Sequence, residues 1–230
     1  MTVRLLHLLQ LVSPALPVGG FSYSEGLEVL VQSGRLSDAR AVADWLAAEL
    51  ERGALTIEAA ALGPLGKALH RWRCEADPTA LAAVVDLDGW LLAQRESAEL
   101  RAQQRQMGQS LLELVAELGW PLPPPPASPT PRLGWPAAWA WAGLCLELEP
   151  LELVEGFLFS WVANQLSAAV RLVPLGASQA QRLQLALAPL IVERSRLLVV
   201  ADPWSMTSGG VGAGLAQLGH AELYSRLFRS

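Results

Sequence analysis

RESAELRAQQRQMGQSLLELVAEL, residues 95–118, is the stretch that decides the fold class. Leu100, Met107, Leu111, Leu114 and Leu118 recur at spacings of 7, 4, 3 and 4. On a 3.6-residue period these positions make one apolar stripe, while arginine, glutamate and glutamine fill the other faces. The stretch continues a helical pattern that starts at Thr79, read as two helices or as one helix bent near Gly89. Outward in both directions alanine and leucine dominate and period-2 alternation is scarce. The reading is all-α: a single-domain multi-helix bundle spanning residues 1–230, with a proline-rich connection.

The punctuation supports further helices. Residues 4–12 form a short apolar helix that SPALPVGG (13–20) breaks. Ser22 and Glu25 stand in the relation of a capping box, which predicts a helix from Tyr23 to the C-cap glycine Gly34. Ser37 or Asp38 opens the next helix, with Val42, Trp45, Leu46 and Leu50 on one face and Gly53 at its end. ALTIEAAALGPLGKALHRWR (54–73) continues helically, weakest at Gly63-Pro64. Residues 119–136 hold eight prolines in eighteen positions, cannot be helix, and predict an exposed loop with Pro123–Pro126 in polyproline II. Helices resume at Ala137. Glu149-Pro150 starts a helix that stops near Leu172. Ser178 and Gln181 predict a second capping box, and that helix runs to about Val200 with a kink at Pro189. Residues 201–214 read as a flexible loop, and about 215–230 as a C-terminal tail.

Composition narrows the function. Of 230 residues, 52% are apolar and 17% charged, and the net charge is −5. Such a balance argues against nucleic-acid binding by phosphate neutralisation. It leaves apolar surface for partners, including a second copy in a homodimer. The mean hydropathy of +0.30 raises the question of a membrane, but the uncharged runs 133–146 and 156–170 are short of the roughly 20 residues a spanning helix needs. Cys74 and Cys145 form no CxxC, which fits a reducing compartment. The expectation is a soluble, cytoplasmic protein.

Motifs that would carry chemistry are missing. Gly66-Lys67 is followed by Ala68, with Ala61 at the first P-loop position, so it is no phosphate loop. GGVGAGLAQLG (209–219) fails the dinucleotide pattern, and GFSYS (20–24) has Ser24 where a nucleophile elbow needs its second glycine. His70 and Cys74 lie four residues apart on one helix face and could give two metal ligands, but the simpler reading is a histidine beside a small hydrophobe. Asp86 and Asp88 read as solvated helix surface. The residues point to a binding protein rather than an enzyme, with no cofactor and no metal site.

LLQLVSPALPVGGFSYSEGLE (8–28) closely resembles the signature of the UreF family of urease accessory proteins. RESAELRAQQRQMGQSLLEL (95–114), AVRLVPLGASQAQ (169–181) and HAELYSRLFRS (220–230) resemble further family segments in the same order. The chain departs from the family at Ala177 and Ala221, where glutamine and glutamate are usual. The resemblance implies an all-α, usually dimeric, non-enzymatic protein. It implies assembly with UreD (UreH in some species) and the GTPase UreG on apo-urease, for nickel delivery and active-site maturation. On the matched segments it marks Tyr23, Glu28, Arg171, Gln181, His220, Tyr224, Arg226, Leu227, Phe228 and Arg229 as candidate partner contacts. Arg171, Arg226 and Arg229 are also candidates for an arginine finger, the alternative in which the chain activates UreG directly; such a finger is worth about 10³-fold or more. In the tail, one helical turn would gather Tyr224, Leu227 and Phe228 on one face. That face docks either on its own chain or, as the resemblance favours, on a partner.

With so few clustered histidines and thiols, the chain alone is expected not to hold nickel tightly. Equilibrium dialysis checks this, and one tightly bound nickel per chain would overturn it.

Overall fold

The computed structural model describes residues 2–75, 77–125 and 130–230, and among them it contains helices and no strand. Ten α-helices follow in order: α1 Thr2–Leu11, α2 Leu27–Gln32, α3 Ala39–Arg52, α4 Ala54–Glu75, α5 Pro78–Ala93, α6 Ala98–Glu117, α7 Trp135–Cys145, α8 Pro150–Leu172, α9 Ala177–Leu198 and α10 Val211–Gly219. Most of the buried apolar side chains form one continuous core.

At its centre lies α7, WPAAWAWAGLC, which has no charged residue and is buried at every position but Leu144. A helix that is apolar all round has to be covered on all sides, and α4, α5, α6 and α8 cover it. Trp139 fills the middle. Its indole N–H donates to Leu153 O at 3.2 Å, and its ring meets Trp135 at 5.2 Å and the Phe157 ring edge-on at 5.7 Å. On the α6 side the chain passes so close that a Cβ on Gly108 would lie 2.5 Å from Leu133 O. Glycine is therefore the residue that lets α6 approach the start of α7.

Helix α8 is long and apolar enough to cross a membrane by length and composition, but over half of its most apolar window is buried within the fold. It serves as a core helix against α4, α7 and α9. It starts at Pro150, as the sequence predicts, and Glu149 N donates to Glu152 Oε2 at 3.0 Å across its first turn. Asp38 caps α3 by accepting from Ala41 N at 2.9 Å.

Several local expectations are corrected. The break in the 79–118 stretch falls at residues 94–97, where Ser97 Oγ accepts from Glu99 N and Leu100 N, while α5 runs through Gly89. The α6 stripe is buried at Leu100, Met107 and Leu111, but Leu118 is 47% exposed because the helix ends beneath it. Pro64 and Pro189 sit inside α4 and α9 without interrupting them. Ser22 caps nothing: it ends a 3₁₀ turn, Gly20–Ser22, and α2 starts only at Leu27, because Glu25 and Gly26 take left-handed backbone at φ 53° and 88°. Gln179, not Gln181, closes the turn into α9, accepting from Gly176 N at 3.2 Å. Residues 201–214 are not wholly loop, since they hold a 3₁₀ turn at Pro203–Ser205 and the start of α10.

The described part of the proline-rich connection is non-helical up to Gly134, with Pro121 and Pro124 exposed and Leu122, Pro123 and Pro125 half-buried, and α7 starts at Trp135, two residues before the expected Ala137. Pro126, part of the polyproline II expectation, lies outside the described residues. The connection ends in the core, with Leu133 and Gly134 buried. Asp88, expected on a solvated surface, is buried there and accepts from Gly134 N at 2.8 Å. Burial pushes the Asp88 carboxyl up to about 6, against the lowering effect of that hydrogen bond. A carboxyl whose folded pKa lies above its unfolded one holds its proton more tightly in the folded state. Its contribution therefore favours the fold at low pH and is lost as pH rises from about 4 through about 6. Asp88→Asn keeps an acceptor for Gly134 and removes the charge. Compared with the unmodified chain, it is expected to unfold with a flatter pH dependence between pH 4 and 6 and to gain on the order of 2 kcal/mol at pH 8. Denaturant titration at several pH values measures both.

Candidate functional site

The opening segment and the C-terminal segment meet in one buried polar cluster. Gly26 is its hinge: at φ 88° it turns the chain into α2, and a Cβ there would lie 3.0 Å from Gln217 N of α10. Close packing of α2 on α10 brings Glu28 beside His220, which follows α10 directly. Glu28 is 2% exposed. Its Oε1 accepts from Leu227 N at 2.7 Å, and its Oε2 accepts from Phe228 N at 3.1 Å and faces His220 Nε2 at 3.4 Å. His220 Nδ1 faces Glu99 Oε2 of α6 at 2.8 Å, and Arg226 donates to Glu99 Oε1 at 2.9 Å. Both ring nitrogens thus face carboxylate oxygens, and the cluster is fully bonded only with a proton on each contact.

The last residue is gripped as firmly. Ser230 O accepts from Ser24 N and Ser24 Oγ, each at 2.7 Å, and from Glu25 N at 3.1 Å. Ser230 Oγ donates to Gln103 Oε1 at 2.5 Å, and Gln103 Nε2 donates to Glu25 Oε1 at 2.7 Å. The other Glu25 oxygen accepts from the Trp161 indole at 2.9 Å. The left-handed Glu25 is therefore held from α6 and α8 together, which sets the path of the opening segment. Phe228 is buried, with the Arg171 guanidinium 4.5 Å from its ring centroid, and Arg171 also donates to Phe21 O at 3.2 Å. Arg229 N donates to Ser22 O at 2.9 Å.

Of the predicted contact residues, Glu28, Arg171, His220, Arg226, Leu227, Phe228 and Arg229 come together here. Tyr23 is buried nearby and donates to Gln106 Oε1 at 2.8 Å. Gln181 is exposed near the start of α9 and makes no hydrogen bond to the cluster. Two expectations change. Tyr23 and Glu28 are not presented outward but buried. Tyr224, Leu227 and Phe228 do not share one face of a helical turn: the segment after Glu222 is non-helical, Tyr224 and Leu227 point to solvent and Phe228 points inward. In this chain the tail docks on its own fold. Sequence reasoning missed Ser24, Glu25, Glu99 and Gln103. Their partners lie between about 80 and 206 positions away, and no short-range spacing signals such contacts.

Elsewhere, Glu58 and Arg95 form a buried pair at 2.8 Å; burial pushes the Glu58 carboxyl up, and Arg95 works against it. Burial also pushes Glu49 up to about 7. His70 and Cys74 lie 3.7 Å apart on the exposed side of α4. Among the described residues no group of three or more His, Cys, Asp or Glu is placed to hold a metal ion.

The fold is an all-helical bundle in which a polar cluster holds the C-terminal segment against the opening segment. Comparison with known proteins gives the family. The UreF family model matches residues 36–188. Urease accessory protein UreF of Thermosynechococcus vestitus is 41% identical over 98% of this chain and 97% of its own length. The UreF proteins of Microcystis aeruginosa and of Prochlorococcus marinus strain MIT 9215 are 39% and 38% identical, over 99% and 97% of this chain and 98% of their own lengths. The chain belongs to the UreF family of urease accessory proteins.

Glu28→Gln leaves one acceptor where the carboxylate offers two and turns an amide N–H toward a main-chain donor. It is expected to cost about 2 kcal/mol of stability and to speed hydrogen exchange of the Leu227 and Phe228 amides. Ser22→Ala is expected to change stability by less than about 0.5 kcal/mol, since the Ser22 side chain caps no helix. Denaturant unfolding and exchange mass spectrometry read both variants.

Proposed function

We propose that this chain is a cytoplasmic, non-catalytic adaptor of urease maturation. It assembles with UreD (UreH) and the GTPase UreG on apo-urease, so that nickel reaches the urease active site. The observation that carries the reading is its similarity to urease accessory UreF proteins over nearly the whole of both chains. The pinned tail supports it: Tyr224, Leu227 and Arg229 are exposed on a segment whose path is fixed by Glu28, Phe228 and Ser230. A pre-ordered contact loses less entropy on binding than a disordered one. In this reading Tyr23, Glu28, His220 and Phe228 are supports, and Arg171, Gln181, Tyr224, Arg226, Leu227 and Arg229 are outward contacts. Self-association belongs to the proposal as well, because α1 leaves Val3, Leu5, Leu6 and Leu9 exposed.

Direct activation of UreG by an inserted arginine is the second reading. Arg171 and Arg226 are held by Phe21, Phe228 and Glu99, whereas Arg229 is exposed and is the candidate of the three with a free guanidinium.

A size-resolved pull-down with UreD and UreG, run beside UreG GTP hydrolysis, separates the readings. For the adaptor, the chain elutes as a dimer in complex with UreD. The double variant Tyr224→Ala with Leu227→Ala weakens that complex at least tenfold, and Arg229→Ala leaves UreG hydrolysis unchanged. No complex with UreD would sink the adaptor. A hydrolysis rate raised by the chain and lost in Arg229→Ala would put the arginine finger in its place.

A further inference from the structure

Gln104 on α6 and Gln165 on α8 are 4% and 2% exposed, and neither side-chain oxygen has a hydrogen-bond partner. Both side chains line one small cavity of about 20 Å³ beneath Gly20 and Tyr23 of the opening segment. A buried carbonyl without a donor is costly. Of the other donors around the cavity, all but the Asn164 amide are spent, and Asn164 makes no hydrogen bond to either oxygen. The Trp161 indole and the Gln103 amide both give to Glu25, Tyr23 gives to Gln106, and Ser160 Oγ gives to Phe157 O. Arg95 gives to Glu58. Turning either glutamine amide over would exchange an orphaned acceptor for an orphaned donor.

We infer that this cavity is a built hydration site, in which one water molecule hydrogen-bonds Gln104 and Gln165 and ties α6 to α8 beneath the opening segment. The volume decides the number: a water needs roughly 10–15 Å³ of such space, so the cavity takes one. Its two O–H groups satisfy the two orphaned carbonyls. Its oxygen accepts from an amide of the same glutamines or of Asn164, none of which donates elsewhere. The chemistry decides against a bare cation. A hard cation takes about six oxygen ligands, and the uncommitted oxygens of the lining, on Gln104, Gln165, Asn164 and Glu58, fall short of that number, because Glu25 accepts from Gln103 and Trp161 and Glu58 Oε1 from Arg95. A second cavity of about 100 Å³, under residues 11–21, shares Gly20, Trp135, Ser160 and Asn164 with the first.

The test uses the full chain. Crystals grown in rubidium chloride, measured at the rubidium edge, are expected to contain one ordered density peak within hydrogen-bond distance of both glutamine side chains and no anomalous signal there. In solution, Gln104→Leu and Gln165→Leu are each expected to raise the unfolding constant about tenfold. The double variant is expected to raise it by clearly less than the product of the two, since the water leaves together with both its acceptors. A rubidium signal in the cavity would replace the water with a cation site. An empty cavity, or strictly multiplicative effects, would remove the inference. If a leucine variant does not fold, the diffraction result decides alone.

Discussion

The structure depends on covering α7. A helix with three tryptophans and no charge cannot keep any side in water, so its neighbours are arranged as its wrapping. Each buried aromatic hides roughly 150–250 Å², which at about 25 cal/mol per Å² is on the order of 4–6 kcal/mol before entropy. That outweighs the cost of burying a carboxylate at Asp88, which pins the chain where the proline-rich connection turns into α7. The close approach at Gly108 follows from the same demand. A long irregular connection can therefore end at a defined point in the core although its own composition specifies no fold.

Around this core the charges that are buried are spent on geometry. Half-buried Glu25 and the buried Glu28 and Glu58 each accept hydrogen bonds from elements distant in sequence. Replacing a satisfied buried charge by an apolar side chain is often neutral for stability, whereas removing one partner is costly. Such groups therefore fix where segments lie more than they add to the total. Here they place the opening segment and the tail side by side and leave the outward side chains of both fixed on the surface.

The sequence made the helices legible because helix signals are local. The apolar period, Asp38 as a cap, Glu149-Pro150 as a start and Gly34 as a stop each act within a turn or two. The failures are of another kind. Ser22 and Glu25 satisfied the capping pattern, yet Glu25 is bound by Trp161 and Gln103, and that long-range hold puts its backbone in the left-handed region, where no helix can begin. Asp88 looked solvated because its partner is a main-chain N–H 46 residues away. The tail showed an aromatic-aliphatic pattern, but its course is set by main-chain contacts that leave no mark on side-chain periodicity. The resemblance found the segments that matter; it did not reveal that Glu28 and Phe228 face inward and hold each other.

The grip on the tail also bears on how the chain is made. Ser24 and Glu28 find their partners about 200 positions later. A ribosome adding 5–20 residues per second takes roughly 10–40 s to cover that distance. For most of that interval Ser24 and Glu28 lack these partners, although Gln103 and Trp161, which hold Glu25, are made well before the tail. Closing so large a loop adds little entropy cost per further residue, but it places the event late in synthesis. The nascent chain thus passes through a nearly complete bundle before residues 227–230 reach the opening segment and complete its hydrogen bonds.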